Sequence, residues 1–254
     1  MSERSLPAEN ILELLSKGDM EALGLMPWSS NYTFLARITD PDSGADVSSD
    51  EAEMLAVYKP QSGETPLWDF HEGTLCQREL AAYLVSNALG WDLIPPTVLR
   101  TGPHGLGSVQ LYIDNDPNQH FFTFHDDATY CDQLQRLAAF DLITNNADRK
   151  SGHCLLDNNG HVWAIDHGIT FNVDYKLRTV IWDFAGQPIS AEMQADIRRM
   201  LDAIKPKNPL GKALRQLLDE SEVAAFRRRS EALLNMAVFP GPNRTQRSIP
   251  WPPV

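Results

Sequence analysis

Apolar and polar residues alternate with a period of two in "YTFLARI" (32–38) and again in "MLAVYKP" (54–60). The stretch between them, "TDPDSGADVSSDEAE", is polar and rich in turn formers, so the pattern predicts a long β-hairpin. A helical period follows over 74–89 ("TLCQRELAAYLVSNAL"), with Gly90 as its stop, and then two strand-like runs, "IPPTVLR" and "GSVQLYI". Ahead of the hairpin, Ile11, Leu12, Leu14 and Leu15 mark one side of a short amphipathic helix that Gly18 ends. The first 113 residues therefore hold at least four strands and one long helix.

Beyond "NDPNQHFFTFHDD", which has no period, helical spacing returns over 129–145 ("TYCDQLQRLAAFDLITN"). Two apolar runs, "HCLLD" and "HVWAID", then flank "NNG", an Asn-Gly hairpin signal. From Ser190, a predicted N-cap, Met193, Ile197, Met200, Leu201 and Ile204 trace one helix face, and helices near 209–219 and 222–236 follow. There is no internal repeat. A sheet-rich part followed by a mainly helical one predicts an α+β chain of two lobes with a cleft between them. The N-lobe covers 1–113, the C-lobe 114–238, and a Pro-rich tail, extended or disordered, 239–254.

Charge narrows the function. A net charge of −12 over 254 residues argues against nucleic acid and against adsorption to anionic lipid, and Arg227 to Arg229 reads as a solvated helix face. No apolar run approaches the length of an integral membrane segment, and the N-terminus lacks a signal-peptide core, so the expected location is cytoplasmic. Cys76, Cys131 and Cys154 are odd in number and scattered, which predicts neither a disulfide framework nor a zinc site.

The candidate chemistry lies in two places. Lys59 ends an apolar strand and Glu79 sits in the following helix; a strand Lys paired with a helix Glu orients the ammonium toward nucleotide phosphates. In "NNADRKSGHCLLDNNGHVWAIDHG" (145–168), closure of the NNG hairpin would bring Asp148, His153 and Asp166 to one end. Converging carboxylates beside Lys150 suit phosphoryl transfer, one positioning the attacking hydroxyl and the other holding Mg²⁺ on the phosphates. Taken singly, Asp148 and Asp157 also read as turn formers and Asp166 as a strand cap.

The segment "RLAAFDLITNNADRKSGHCLLDNNGHVWAIDHGITF" resembles the catalytic and metal-binding loops of the phosphatidylinositol 3-/4-kinase superfamily, with type II phosphatidylinositol 4-kinases nearest. It looks closer still to an uncharacterised bacterial branch described as distantly lipid-kinase-like. "VYKP" is similar to the family's phosphate-binding Lys strand and "GSVQLYI" to its hinge strand; the ordered likeness spans roughly 28–200, including "RTVIWDFAGQPIS". The resemblance implies a protein-kinase-like fold using ATP and Mg²⁺. By position, Lys59 would bind the α/β-phosphates, Glu79 would pair with it, Asp148 would be the catalytic-loop Asp and Asp166 would hold the metal. Ser29, Ser30 and Asn31 would cover the phosphates, and Gln110, Leu111, Tyr112 and Ile113 would line the adenine site.

Two departures bear on function. His153 stands where the family has a metal-binding Asn, which implies either Mn²⁺ at that position or a hydrogen bond to phosphate. The interval after the Lys strand, "QSGETPLWDFHEG", has no Cys-rich insertion, so a protein Ser/Thr or a small alcohol suits the acceptor as well as an inositol lipid. The alternatives are a nucleotide-binding pseudokinase, a variant that transfers AMP, and a metal-dependent phosphohydrolase built on the His125–Asp126 doublet.

Overall fold

The computed structural model describes residues 8–27, 31–41, 53–243 and 245–254. It divides into two compact units: Met1–Leu80 with Pro95–Tyr112, and Ala81–Ile94 with Ile113–Val254. The expected boundary at 113 assigns the whole 74–89 helix to the first unit; here the chain from Ala81 to Ile94 packs with the second. The Pro-rich tail belongs to the second unit too.

The first unit is a five-stranded antiparallel sheet. Its strands are β1 (Asp19–Leu25), β2 (Phe34–Thr39), β3 (Glu53–Pro60), β4 (Thr97–Gly102) and β5 (Gly105–Leu111), in the order β1-β2-β3-β5-β4. Strand β1 was not predicted. Helix α1 (Ala8–Lys17) adds Leu15 to a core of Ala36, Ile38, Ala56, Tyr58 and Val109. Arg100 closes the end of α1 by donating to the carbonyls of Leu15 (3.0 Å) and Gly18 (2.8 Å), two groups the helix leaves unpaired. Alternation along β3 buries Ala56 and Tyr58 on one face and puts Lys59 on the other. Lys59 registers against Ser108, and a side chain at Gly107 would come within 2.5 Å of the Lys59 carbonyl. A bare glycine therefore lets β5 lie close enough to fix the Lys strand.

Helix α2 (Leu75–Leu89) starts on Glu64, whose carboxylate accepts from the amides of Cys76 (2.8 Å) and Leu75 (3.1 Å). An anion at a helix N-terminus satisfies donors that have no intrahelical partner.

The second unit is mainly helical: α3 (Phe121–Phe124), α4 (Cys131–Thr144), α5 (Ala191–Ala203), α6 (Pro209–Leu217) and α7 (Glu220–Met236), with a hairpin of β6 (Cys154–Leu156) and β7 (Val162–Ala164). Ser190 caps α5 through its hydroxyl on the Met193 amide. Asp157, more than the Asn-Gly pair, shapes the hairpin turn, since its carboxylate accepts from the Asn159 and His161 amides and the Trp163 indole. Of the three arginines read as a solvated face, Arg229 is different: it donates to the carbonyls of Ile143 (2.9 Å) and Asn172 (3.0 Å), and burial pushes its pKa down to about 10.

Burial also pushes the Cys76 and Cys154 thiols up to about 12, Cys76 with help from the Glu64 carboxylate. At pH 8 such a thiol is ionised in about one molecule in ten thousand. Iodoacetamide at that pH is therefore expected to label half-buried Cys131 in the folded protein and to reach Cys76 and Cys154 only after denaturation. Mass spectrometry of the labelled peptides checks this, and comparable native labelling of all three would contradict it.

Candidate active site

In the first unit the Lys59 ammonium is ion-paired with the Glu79 carboxylate. Glu79 lies on the second turn of α2 and its side chain is 3% exposed, against 22% for Lys59. The carboxylate is thus enclosed, while part of the Lys59 side chain is exposed. Asn31, from the segment expected to cover the phosphates, accepts from the Thr65 amide at 2.8 Å; Ser29 and Ser30 lie outside the described residues.

At the expected adenine strand, Gln110 is buried and donates to the Thr97 hydroxyl at 2.8 Å. The Leu111 amide donates to Pro96 and the Tyr112 amide to Leu55. Those two amides are committed to the protein, so base recognition through them would cost an existing bond; Ile113 follows directly.

In the second unit, α4 ends at Asn145, a left-handed residue (φ 59°). Its side-chain amide donates to the Asn172 and Asp174 carbonyls and its oxygen accepts from the Lys176 amide. Asn146 is fully buried; it donates to Asp141 at 3.1 Å and accepts from the Asp148 amide at 2.9 Å. Asp148 is thereby hung from the interior of the unit. Burial lifts its carboxyl above the ordinary value, the Lys150 ammonium 3.6 Å away pulls it back, and the Asp166 carboxylate lifts it further.

Asp141 and Arg149 form the centre of this arrangement, both with side chains wholly removed from solvent. Arg149 donates Nε to both Asp141 oxygens (3.1 and 3.2 Å) and Nη2 to one (3.1 Å). Its Nη1 reaches the carbonyls of Ile165 (2.8 Å) and His153 (3.3 Å), and Nη2 also meets His167 Nε2 at 2.6 Å. Thr179 completes the set through its hydroxyl on Asp141. Burial alone would lower the Arg149 pKa; Asp141, joined by Cys154 and Asp166, turns the net shift upward. His167, whose Nε2 faces a donor-only guanidinium, accepts there and is part of this scaffold.

Asp166 is exposed, with a left-handed backbone (φ 62°) that aspartate tolerates better than most residues. Phe171 shares that conformation (φ 63°) and is held by edge-on packing against Phe226 and by its amide on the Thr144 carbonyl (2.6 Å). His153 Nε2 lies 3.4 Å from Asp166 Oδ2, and its Nδ1 accepts from the Lys150 amide at 3.5 Å. The structure thus brings Asp166 to His153 and sets Asp148 beside Lys150.

Among the described residues, no group of three or more His, Cys, Asp or Glu converges to hold a metal alone. A solvent-facing carboxylate that shares Mg²⁺ with substrate phosphates and water suits this donor set. His153 fits less well as a ligand, because a neutral imidazole accepting at Nδ1 carries its proton on Nε2, the nitrogen facing Asp166. The His125–Asp126 doublet belongs elsewhere: His125 Nδ1 pairs with Asp183 at 2.9 Å. Asp141, Asn145, Asn146 and Arg149 were not singled out from sequence; a charged residue inside the apolar run "LAAFDLI" was the available signal.

A protein of Mycobacterium tuberculosis, Rv2133c, is 38% identical over 94% of each chain. Phosphatidylinositol 4-kinase gamma 4 of rice is 30% identical over 53% of this chain and 27% of its own. No family model matches. A crystal structure of the Helicobacter pylori proinflammatory kinase CtkA aligns over 89% of this chain and 94% of that one, with 12% identity and a TM-score of 0.49. At that score the likeness does not identify the fold, and the α+β architecture stands on the chain's own sheet and helices.

Removing the Asp141 carboxylate would leave a buried guanidinium uncompensated, a change that costs about 3–5 kcal/mol. Asp141→Ala is expected to lower the urea midpoint accordingly, whereas Asp132→Ala, which removes a surface partner of Arg136, is expected to cost about 1 kcal/mol or less. Equal midpoints for the two variants would contradict the central role given to the pair.

Proposed function

We propose that this chain, which belongs to the family of the Mycobacterium tuberculosis protein Rv2133c, is an ATP-dependent phosphotransferase that moves the γ-phosphate to a hydroxyl acceptor. The observation that carries the reading is the Lys59–Glu79 pair, its carboxylate enclosed and its lysine side chain partly exposed. The partial identity to a plant phosphatidylinositol 4-kinase supports kinase chemistry.

In this reading Lys59 neutralises α/β-phosphate oxygens, and Glu79 keeps its side chain from swinging away. Asp148 accepts a hydrogen bond from the acceptor hydroxyl and takes its proton as the new bond forms. Asp166 would hold Mg²⁺, which neutralises charge on the transferred phosphoryl group when bound. His153 donates from Nε2, to Asp166 or to a phosphate oxygen. Asn31, with Ser29 and Ser30, covers the phosphates; among the four adenine-strand residues, Ile113 offers the amide for the base. The acceptor is a protein Ser/Thr, a small alcohol or an inositol lipid. Among the described residues no helix is long and apolar enough to cross a membrane.

The second reading, a nucleotide-binding pseudokinase, is favoured by His153 alone, since a donor imidazole replaces a metal-binding amide. Turnover separates the two. Metal-dependent ADP release or self-phosphorylation is expected from the purified protein, with Mg²⁺ and Mn²⁺ compared. Asp148→Asn, Asp166→Asn and Lys59→Met are each expected to lower it by about a hundredfold or more with the fold retained by circular dichroism. Binding without turnover would favour the pseudokinase, and full activity in both Asp variants would overturn the assignment.

A further inference from the structure

The Pro-rich segment 239–254 has no part in the roles above, yet it is bonded to the loop that carries Asp148 and His153 and to the 179–182 segment that packs on Asp141 and Arg149. Phe239 anchors its start: buried at 2% exposure, it exchanges main-chain bonds with Gly186 and Gln187. Further on, the Ser248 carbonyl accepts from the Thr179 amide and from the Trp182 indole, each at 3.1 Å. The Pro253 carbonyl accepts from the Ser151 amide at 2.8 Å.

The two amides are not incidental. Ser151 is fully buried and opens the short helical turn 151–153, between Asp148 and His153. An amide at the start of such a turn has no partner within it. Thr179 is 2% exposed; its hydroxyl is on Asp141 while its backbone bridges to Arg149. If the segment lifted away, two buried donors would lose the carbonyls they are bonded to, an expensive state. Burial along the segment is uneven: Pro250 is buried, while Trp251 is 77% and Ile249 50% exposed. Beside that burial it is held by the Ser248 and Pro253 carbonyls, and the rings of Pro250, Pro252 and Pro253 reduce the freedom lost on docking.

We infer that residues 248–253 form a positioning strap that keeps the Asp148 loop and the 179–182 segment in their working geometry, and that phosphate transfer depends on it. Only its consequence for transfer rests on the phosphotransferase reading. The test uses the full chain carrying Ile249→Gly, Pro250→Ser, Trp251→Gly, Pro252→Ser and Pro253→Gly, with a synthetic peptide of residues 239–254 as the probe for rescue.

Hydrogen exchange at the Ser151 and Thr179 amides is expected to accelerate about tenfold or more, while α4 and α7 amides stay protected. Transfer is expected to fall about tenfold with ATP affinity unchanged, and the added peptide is expected to restore both. Unchanged exchange at both amides overturns the strap, and increased transfer overturns it in favour of an inhibitory segment. If the intact chain transfers no phosphate, the exchange arm still decides the strap, and the phosphotransferase reading fails separately. Should α4 and α7 also lose protection, Trp182→Phe replaces the block variant. It removes one donor to Ser248 and is expected to speed exchange at Thr179; no change there would overturn the strap.

Discussion

A salt bridge with no access to water organises the second unit. Taking Asp141 and Arg149 out of solvent is costly, and their mutual attraction offsets that cost with the help of the further hydrogen bonds each of them makes. Arg149 reaches the carbonyls of His153 and Ile165, Asp141 collects Asn146 and Thr179, and Asn146 carries the Asp148 amide. Three separate stretches of chain, 141–153, 165 and 179, are therefore held by one pair of charges. Because a half-satisfied network is worse than none, the loops adopt this arrangement together.

The contrast with the other ion pair separates scaffold from chemistry. Asp141 and Arg149 are both closed to solvent, so neither can exchange its partner for a ligand. The Lys59 side chain is partly exposed while that of Glu79 is not, so this pair lies at the edge of solvent rather than inside the protein. Asp148 lies between these extremes, partly buried, with a lifted carboxyl and a lysine at hand. Graded access to water sets the carboxylates apart more than their spacing along the chain does.

Much of this was legible in the sequence, for physical reasons that also mark where legibility stopped. Strands β2 and β3 announced themselves because one face is buried and the other is not, and Ser190 because a hydroxyl before an apolar helix has an amide to cap. Strand β1 was silent: "DMEALGL" lies at the sheet edge with most positions exposed, so no buried face imposed a period. The Lys59–Glu79 pair was expected from a strand Lys followed by a helix Glu, and the meeting of His153 with Asp166 from closure of the NNG hairpin. Asp141 was not, because in a helix a lone charge ordinarily marks the solvent side, and its partner eight residues on lies beyond any helical spacing rule. Asn145 and Asn146 were visible as turn residues, but Asn145 works through side-chain bonds to the backbone of 172–176, far along the chain, and Asn146 through the buried Asp141 carboxylate.

Helix α2 bears on heredity as well as on structure. Its first half carries Glu79, while Ala81, Ala82, Val85 and Leu89, with Trp91, Leu93 and Ile94 beyond, supply the core of the other unit. The two units are therefore not consecutive segments that recombination could trade at a single crossover. A crossover near residue 113 would pair one parent's helix with the other parent's core, so related chains are expected to have diverged as wholes, with changes along α2 tracked by compensating changes in α4 and α5.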